Sequence, residues 1–172
     1  MRKTLDPPRE KETKGEKNYI TPIGYHKLTT ELDFLQTKKR PEVVSALSDA
    51  AAEGDRSENA EYIYRKRQLR QIDGRMRFLG KRLDIAVIVD AREQKRRDRV
   101  FFGATVTVED EEGQKQTFSI VGSDEIDSAG GAISWQSPVG RGLIGKEIGD
   151  AVLVRWDKGQ RELTIADISY PD

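Results

Sequence analysis

Cysteine is absent from the 172-residue chain, and aromatic residues make up only 7% of it. A disulfide framework and a thiolate metal site are therefore excluded. Apolar residues account for 35%, the same share as charged residues. This apolar content is low for one large core and favours exposed helices with a small interior. No stretch approaches the roughly 20 apolar residues of a membrane span, so we expect no membrane partner and a cytoplasmic location.

Motifs of self-contained enzymes are also scarce. No Ser/His/Asp set, phosphate-binding loop or H-E-x-x-H motif is present. Residues 140–145 match G-x-G-x-x-G, but a strand rather than a long helix is expected after them, which argues against a dinucleotide site. His26, the single histidine, has no acidic cluster near it and is expected on the surface of the first helix. We therefore expect a chain without a complete active site of its own.

The formal net charge of zero hides an uneven distribution. Residues 1–97 hold 23 Lys and Arg against 16 Asp and Glu, whereas residues 98–172 hold 7 against 14, giving net charges of +7 and −7. This asymmetry predicts two domains with different partners. Residues 1–17 are mostly charged or are Pro, Thr and Gly, so a disordered tail is expected there.

Apolar residues recur at helical spacing on both sides of residues 53–61. The first run extends from Tyr25 to Ala51 and includes Val43 and Val44; the second follows a heptad seam from Tyr62 to Leu83. Pro41 predicts a bend near Thr37–Arg40. Because few residues separate the two runs, we expect an antiparallel coiled coil over residues 18–90, a rod of roughly 45 Å.

Beyond a charged connector at residues 91–99 the pattern changes to short strands. The expected strands are Val100–Val108, Gln116–Val121, Ala151–Trp156 and Leu163–Ile168, with one short helix from Ser137 to Ile144. The predicted fold class is therefore α+β: a helical hairpin followed by a small antiparallel-sheet domain over residues 100–172.

Residues 53–61, EGDRSENAE, place four carboxylates at the turn of the hairpin. Asp55 and Glu58 have the spacing of an N-cap and its capping box for the second helix. They also suit a hard divalent cation, because Mg²⁺ usually takes one or two protein carboxylates and keeps several waters. An exposed pair would bind weakly alone and become useful where a partner supplies the remaining ligands. Both explanations stay open at this point.

The second helix is strongly basic, with eight Lys and Arg and one acid, Asp73, in residues 62–82. Four of these cations are expected on the face opposite the apolar seam: Arg67, Arg70, Arg77 and Lys81. The other four are expected beside the seam: Arg65, Lys66, Arg75 and Arg82. A solvated face is the plain alternative, but solvated faces normally mix signs. A face of one sign favours a polyanion, with nucleic-acid phosphate as the leading candidate.

Three segments form a specific pattern: GDRSENAEY at Gly54–Tyr62, RPEV at Arg40–Val43 and RQID at Arg70–Asp73. Together they closely resemble the bacterial Gre transcript-cleavage factors, over roughly residues 18–170. The basic second helix and VFFGA at Val100–Ala104 are most like the GreB branch. The resemblance implies an N-terminal antiparallel coiled coil and an FKBP-like C-terminal domain.

The resemblance also implies a mechanism. The C-terminal domain would dock on RNA polymerase, and the coiled coil would enter the secondary channel and stimulate cleavage of backtracked RNA by the polymerase itself. Asp55 and Glu58 would assist a Mg²⁺ ion shared with the polymerase only, since the chain has no cofactor of its own. It would act as a monomer and not as an enzyme.

Further roles are implied residue by residue. Asn59 and Tyr62 would support the tip, and Gln136, Ser137 and Pro138 would dock on the polymerase, although the family often has Asp where this chain has Gln136. Basic residues would steer the nascent RNA 3′ end: Arg65, Lys66, Arg67, Arg70, Arg77 and Lys81.

Two other functions remain open. An inhibitor could use the same channel and block the site with its acidic tip. A prolyl isomerase or chaperone could use the FKBP-like domain, although the aromatic residues of 100–172 are too scattered to decide.

Overall fold

The computed structural model describes residues 17–56 and 58–172, without the side chain of Trp156. The predicted α+β class is confirmed, while the predicted tail lies outside the described residues except for Lys17. The helices are α1 (Pro22–Phe34), α2 (Arg40–Ala52), α3 (Ala60–Asp84) and α4 (Pro138–Leu143). The strands are β1 (Asn18–Ile20), β2 (Ala86–Ile88), β3 (Thr105–Asp110), β4 (Lys115–Val121), β5 (Ala132–Ser134), β6 (Ala151–Trp156) and β7 (Gly159–Ser169).

The first arm of the hairpin consists of α1 and α2 joined by a π-helical turn at Leu35–Lys39. Thr21 caps α1, its hydroxyl oxygen accepting from the Gly24 N–H at 3.0 Å. Pro41 has no N–H to donate to the carbonyl of Thr37, so the α-helical bonding pattern is interrupted there. A π-helical turn thus lies where a bend was predicted, near Thr37–Arg40, while the bend itself stays a prediction.

The second arm, α3, runs back antiparallel along the first arm. Its buried residues, Ile72 and Leu79, both lie on the predicted seam, and Leu79 packs with Leu28 at the base of the hairpin. Val44, expected on the apolar face of the first arm, is instead 39% exposed. That expectation was wrong because only Val43 of the adjacent pair can point at α3.

Ion pairs connect the two arms along their length. Arg40 Nε lies 2.8 Å from Asp73 Oδ1, and Arg75 donates to both carboxylate oxygens of Glu31 at 2.6 and 2.8 Å. The hydrogen bonds from Arg75 hold the pKa of Glu31 below its ordinary value. These pairs are partly exposed, so each contributes little to stability but helps to fix the register of the arms.

The C-terminal domain is a five-stranded sheet with the strand order β5-β4-β3-β7-β6. Strands β3, β4, β6 and β7 pair antiparallel as expected, whereas the short β5 pairs parallel with β4, so the sheet is mixed. The strand expected from Val100 starts only at Thr105, because Gly103, with φ of +85°, turns the chain before it. Val100 is still buried in the core of this domain.

Five side chains join the base of the hairpin to the sheet domain and form what we call the junction. Arg82 Nε donates to the two carboxylate oxygens of Asp124 at 3.0 and 2.8 Å. Asn18 Nδ2 donates to the same carboxylate at 2.9 Å. Glu125 accepts from the Thr21 N–H at 3.0 Å and from the Thr21 hydroxyl. The acids come from the sheet domain, and their partners come from the two ends of the hairpin sequence.

Close packing at the junction leaves no room for a side chain at two glycines. A Cβ on Gly24 would lie 2.1 Å from Glu125 Oε1, and a Cβ on Gly122 would lie 2.3 Å from the carbonyl oxygen of Tyr19. The Tyr19 ring packs edge-on against Trp135, with ring centroids 5.4 Å apart. The hairpin and the sheet domain are therefore in direct contact at this point.

Breaking the junction should destabilise the protein. Arg82 and Asp124 side chains are 27% and 10% exposed, so Arg82→Leu leaves a largely buried carboxylate without its charged partner. We expect the free energy of unfolding in urea to fall by about 2 kcal/mol. The matched control is Arg96→Leu, which breaks an exposed pair with Asp98 and should cost below about 0.5 kcal/mol. Equal losses in the two variants would contradict a stabilising junction.

Candidate functional site

The two arms meet in a turn between Ala52, the last residue of α2, and Ala60, the first residue of α3. Gly54 has φ of +140°, a backbone region that favours glycine. Asp55 and Glu58 lie in this turn, and both are exposed. We call this turn, with its flanking acids Glu53 and Glu61, the tip.

The N-cap of α3 is Asn59, not Asp55. Asn59 Oδ1 accepts from the Tyr62 N–H at 3.0 Å, and the helix begins at Ala60, five residues after Asp55. The capping-box explanation of Asp55 and Glu58 is therefore wrong. Sequence spacing could not decide this, because Asn and Asp are about equally good N-cap residues. The N-cap of α3 is thus supplied by Asn59 and not by either carboxylate.

Asn59 also connects the arms at the tip. Its Nδ2 donates to the carbonyl oxygen of Ala50 at 2.7 Å, so one side chain bonds to the last turn of α2 and the first turn of α3. The half-buried Tyr62 ring has Arg56 Cζ 5.7 Å and Lys66 Nζ 5.8 Å from its centroid. These contacts hold two cations beside the acidic turn.

Removing the Asn59 side chain should loosen the tip. Asn59→Ala loses both the cap and the bond to Ala50, and we expect the free energy of unfolding to fall by about 1–2 kcal/mol. Asn59→Asp keeps the cap acceptor and loses only the donor, so it should retain part of the stability. Thermal unfolding measures both variants. Equal losses would show that the bond to Ala50, and not the cap, dominates.

The cations of α3 other than Lys66 divide into two groups. Arg65 pairs with Glu61 at 2.7 Å, while Arg75 and Arg82 pair as described above. The cations opposite the seam are exposed and make no ion pair with any described residue: Arg67, Arg70, Arg77 and Lys81. We call these four residues the basic face. Because no acid of the described chain neutralises it, its potential stays positive.

Side chains that could bind a metal do not cluster in the part of the chain that the structure describes. No group of three His, Asp or Glu side chains converges on a metal position in the described ranges. Asp55 and Glu58 offer the carboxylate oxygens that Mg²⁺ prefers, but two carboxylates leave most of its coordination to other groups. The donor type therefore fits Mg²⁺, and the remaining ligands would have to come from a partner or from water.

The three predicted docking residues lie at the start of α4. Ser137 Oγ accepts from the Gly140 N–H at 3.0 Å and so caps α4, whose first residue is the exposed Pro138. The Gln136 N–H donates to the buried Ser134 hydroxyl at 3.1 Å, and Gln136 Oε1 accepts from the Ser123 hydroxyl at 3.0 Å. Local hydrogen bonds thus fix the conformation of this loop, and its docking role remains a prediction.

A cavity of about 890 Å³ lies between the hairpin base and the sheet domain. Tyr170 is the one aromatic residue among the described residues that line it. An isomerase pocket of the expected kind would have several aromatic rings, so this cavity does not favour that alternative.

Among the helices of residues 17–56 and 58–172, none combines the length and the apolar composition that a membrane span requires.

Both parts of the chain match the models of a known protein family. The family described as "Transcription elongation factor, GreA/GreB, C-term" matches residues 93–170, and "Transcription elongation factor, N-terminal" matches residues 18–88. Transcription elongation factor GreB of Neisseria meningitidis serogroup B is 49% identical over 154 residues, covering 90% of this chain and 94% of the relative. The same-named protein of Pasteurella multocida is 52% identical over 156 residues, covering 91% and 98%.

Among solved structures, the GreA factor homolog 1 (Gfh1) protein of Thermus thermophilus covers 90% of this chain and 99% of its own at 24% identity. Its TM-score of 0.42 is too low to support an inference. The sequence matches extend over both domains, and the resemblance carried by residues 54–62 is confirmed. The chain belongs to the GreA/GreB family of transcription elongation factors.

Proposed function

We propose that this elongation factor stimulates RNA polymerase to hydrolyse its own transcript after the polymerase has backtracked. The observation that carries the proposal is the exposed pair Asp55 and Glu58, which lies in the hairpin turn while Asn59 caps α3. Two carboxylates at the end of a narrow rod can enter a partner's active site and add charge there. The chain would act as a monomer in the cytoplasm.

The reach of the hairpin supports this arrangement. α3 has 25 residues, and at a rise of ~1.5 Å per residue it is about 37 Å long. The sheet domain joins the hairpin at the opposite end from the tip. The sheet domain can therefore dock at the polymerase surface, through Gln136, Ser137 and Pro138, while the tip extends into the secondary channel.

At the polymerase active site, Asp55 and Glu58 would help to hold a shared Mg²⁺ ion. Such an ion, when bound, activates a water and stabilises charge that develops on a phosphoryl group. The chain itself supplies two carboxylates at a fixed position, which is a contribution of orientation and electrostatics and not of a nucleophile. In this proposal the polymerase is the enzyme, and this chain is its activator.

The basic face would bind the RNA that backtracking extrudes. Lys and Arg contacts to phosphate neutralise the backbone and position it without depending on base sequence. Lys66 lies beside this face, whereas Arg65 is already paired with Glu61 and should contribute less. Tyr62 and Asn59 would keep the acidic turn in place next to the bound RNA.

Adding the protein to backtracked polymerase complexes tests the proposal. We expect the RNA to be shortened at its 3′ end and the new end to be extended when nucleotides are supplied. An RNA that stays intact while elongation slows would overturn the proposal and favour the inhibitor. Heat-denatured protein serves as the control for cleavage by the polymerase alone.

A further inference from the structure

An apolar residue and an aromatic residue lie exposed on α3 near the tip, the first on the side of the basic face and the second about 100° round the helix from it. Ile63 is 52% exposed, and the neighbouring Tyr64 is 55% exposed. With about 100° of rotation per residue, Ile63 falls on the same side of the helix as Arg67, Arg70 and Lys81. Ile63 therefore points away from the partner arm, where it contributes nothing to the core of the hairpin.

These two side chains lie near the start of α3. They come four and five residues after Asn59, which caps α3 and bonds to Ala50 of the other arm. The Tyr64 ring has the Arg65 guanidinium carbon 5.4 Å from its centroid, and Arg65 is itself held by Glu61. The guanidinium of Arg65 thus lies beside the exposed ring, where it can favour one orientation of Tyr64.

We propose that Ile63 and Tyr64 contact an unpaired base at the 3′ end of the extruded RNA, with Tyr64 stacking on the base. This inference rests on the proposed function and assigns it a further substrate contact. Exposed apolar and aromatic groups beside unneutralised cations suit a partner that combines negative charge with flat apolar surfaces, which single-stranded nucleic acid does. A purely phosphate-binding surface would have no use for Ile63.

The contact would complement the basic face. In this arrangement the cations bind the RNA backbone along α3. A base stacked on Tyr64 would fix the position of the 3′ nucleotide relative to the tip. Base stacking on an aromatic ring tolerates all four bases, because each has a π-face. Tyr64 is therefore a positioning residue that places the RNA relative to Asp55 and Glu58.

The test uses backtracked complexes whose RNA ends in either an ordinary or an abasic nucleotide. Tyr64→Ala should slow cleavage of ordinary RNA roughly tenfold, and Tyr64→Phe should remain near wild type because it can still stack. On abasic RNA, wild type and Tyr64→Ala should cleave at equal rates. Phe34→Ala is the matched control, because Phe34 is an aromatic residue of α1 that is 52% exposed, and it should cleave both RNAs like wild type.

Each contrary result overturns the inference in a distinct way. An equal loss on ordinary and abasic RNA would show that Tyr64 contacts the polymerase or supports the fold. No loss on either RNA would show that Tyr64 has no role in placing the substrate. If the wild-type protein failed to stimulate cleavage of any RNA, the proposed function itself would be wrong. This result differs from failure of the inference, in which the wild-type protein is active and only the comparison with Tyr64→Ala fails.

Discussion

Asp55→Ala or Glu58→Ala is expected to slow transcript cleavage by about 100-fold or more while leaving the protein folded and bound to polymerase. Both carboxylates are exposed, and the cap of α3 is made by Asn59. Their removal should therefore cost charge at the tip without fraying the helix. Each acid is needed because Asp55 and Glu58 are the two carboxylates that the proposal assigns to the shared ion, and Mg²⁺ usually takes one or two protein carboxylates.

The measurement is the rate of cleavage in backtracked complexes, with binding to polymerase followed separately by competition against the wild-type protein. Glu53→Ala is the matched control: it removes one exposed carboxylate from the same tip, at the end of α2, and should cleave close to the wild-type rate. Loss of binding in both tip variants would instead make Asp55 and Glu58 structural. A slow Glu53→Ala variant would mean that the overall charge of the tip matters and not two particular ligands.

Reversing the basic face should give the second large effect. We expect the triple variant Arg67→Glu/Arg70→Glu/Arg77→Glu to slow cleavage roughly 10- to 100-fold at low salt, and less as salt is raised. These side chains pair with no described acid, so the substitution breaks no ion pair seen in the structure. The loss should be greatest in deeply backtracked complexes, where the longest RNA segment lies along α3.

Cleavage rates at several depths of backtracking measure this dependence. Lys27→Glu/Lys38→Glu is the control, because it reverses exposed cations on the first arm and should leave the depth dependence unchanged. A loss that is equal at all depths would count against RNA binding by the basic face. It would point to contacts between α3 and the wall of the channel.

Sequence periodicity predicted the hairpin because both arms bury a narrow seam. Ile72 and Leu79 lie where heptad spacing placed them. Pro41 located the irregularity in the first arm, because a missing N–H has a local effect that needs no tertiary information. Its form, a π-helical turn, depends on how both flanking helices pack against α3 and could not be predicted.

The tip shows where sequence spacing is insufficient. Asp55 with Glu58 and Asn59 with Tyr62 are both plausible helix starts, and local preference does not separate them. The bond from Asn59 to the carbonyl of Ala50 favours the second, and it is a contact between arms that has no sequence signature. The three-residue strands β1, β2 and β5 were missed for a related reason, since segments that short show no alternation.

The net charges of the two halves of the sequence did not predict the junction. The two halves of the sequence carry opposite net charge, which suggested separate partners. Part of that opposition is internal, because Arg82 of the basic half donates to Asp124 of the acidic half. Glu125 of the acidic half also accepts from Thr21, although Thr21 carries no charge. Charge asymmetry along a chain can thus reflect an interface within the molecule as well as a surface for others.

The junction also sets how accurately the tip can be aimed. The hairpin is held at its base by Arg82 and Asp124, and the 25 residues of α3 separate this contact from the tip. Over about 37 Å, a rotation of the hairpin by only about 1.5° at the junction moves the tip by about 1 Å. A displacement of this size is large enough to impair catalysis. Partly buried hydrogen bonds at the base, far from the tip, therefore limit the angular precision with which two carboxylates reach their target.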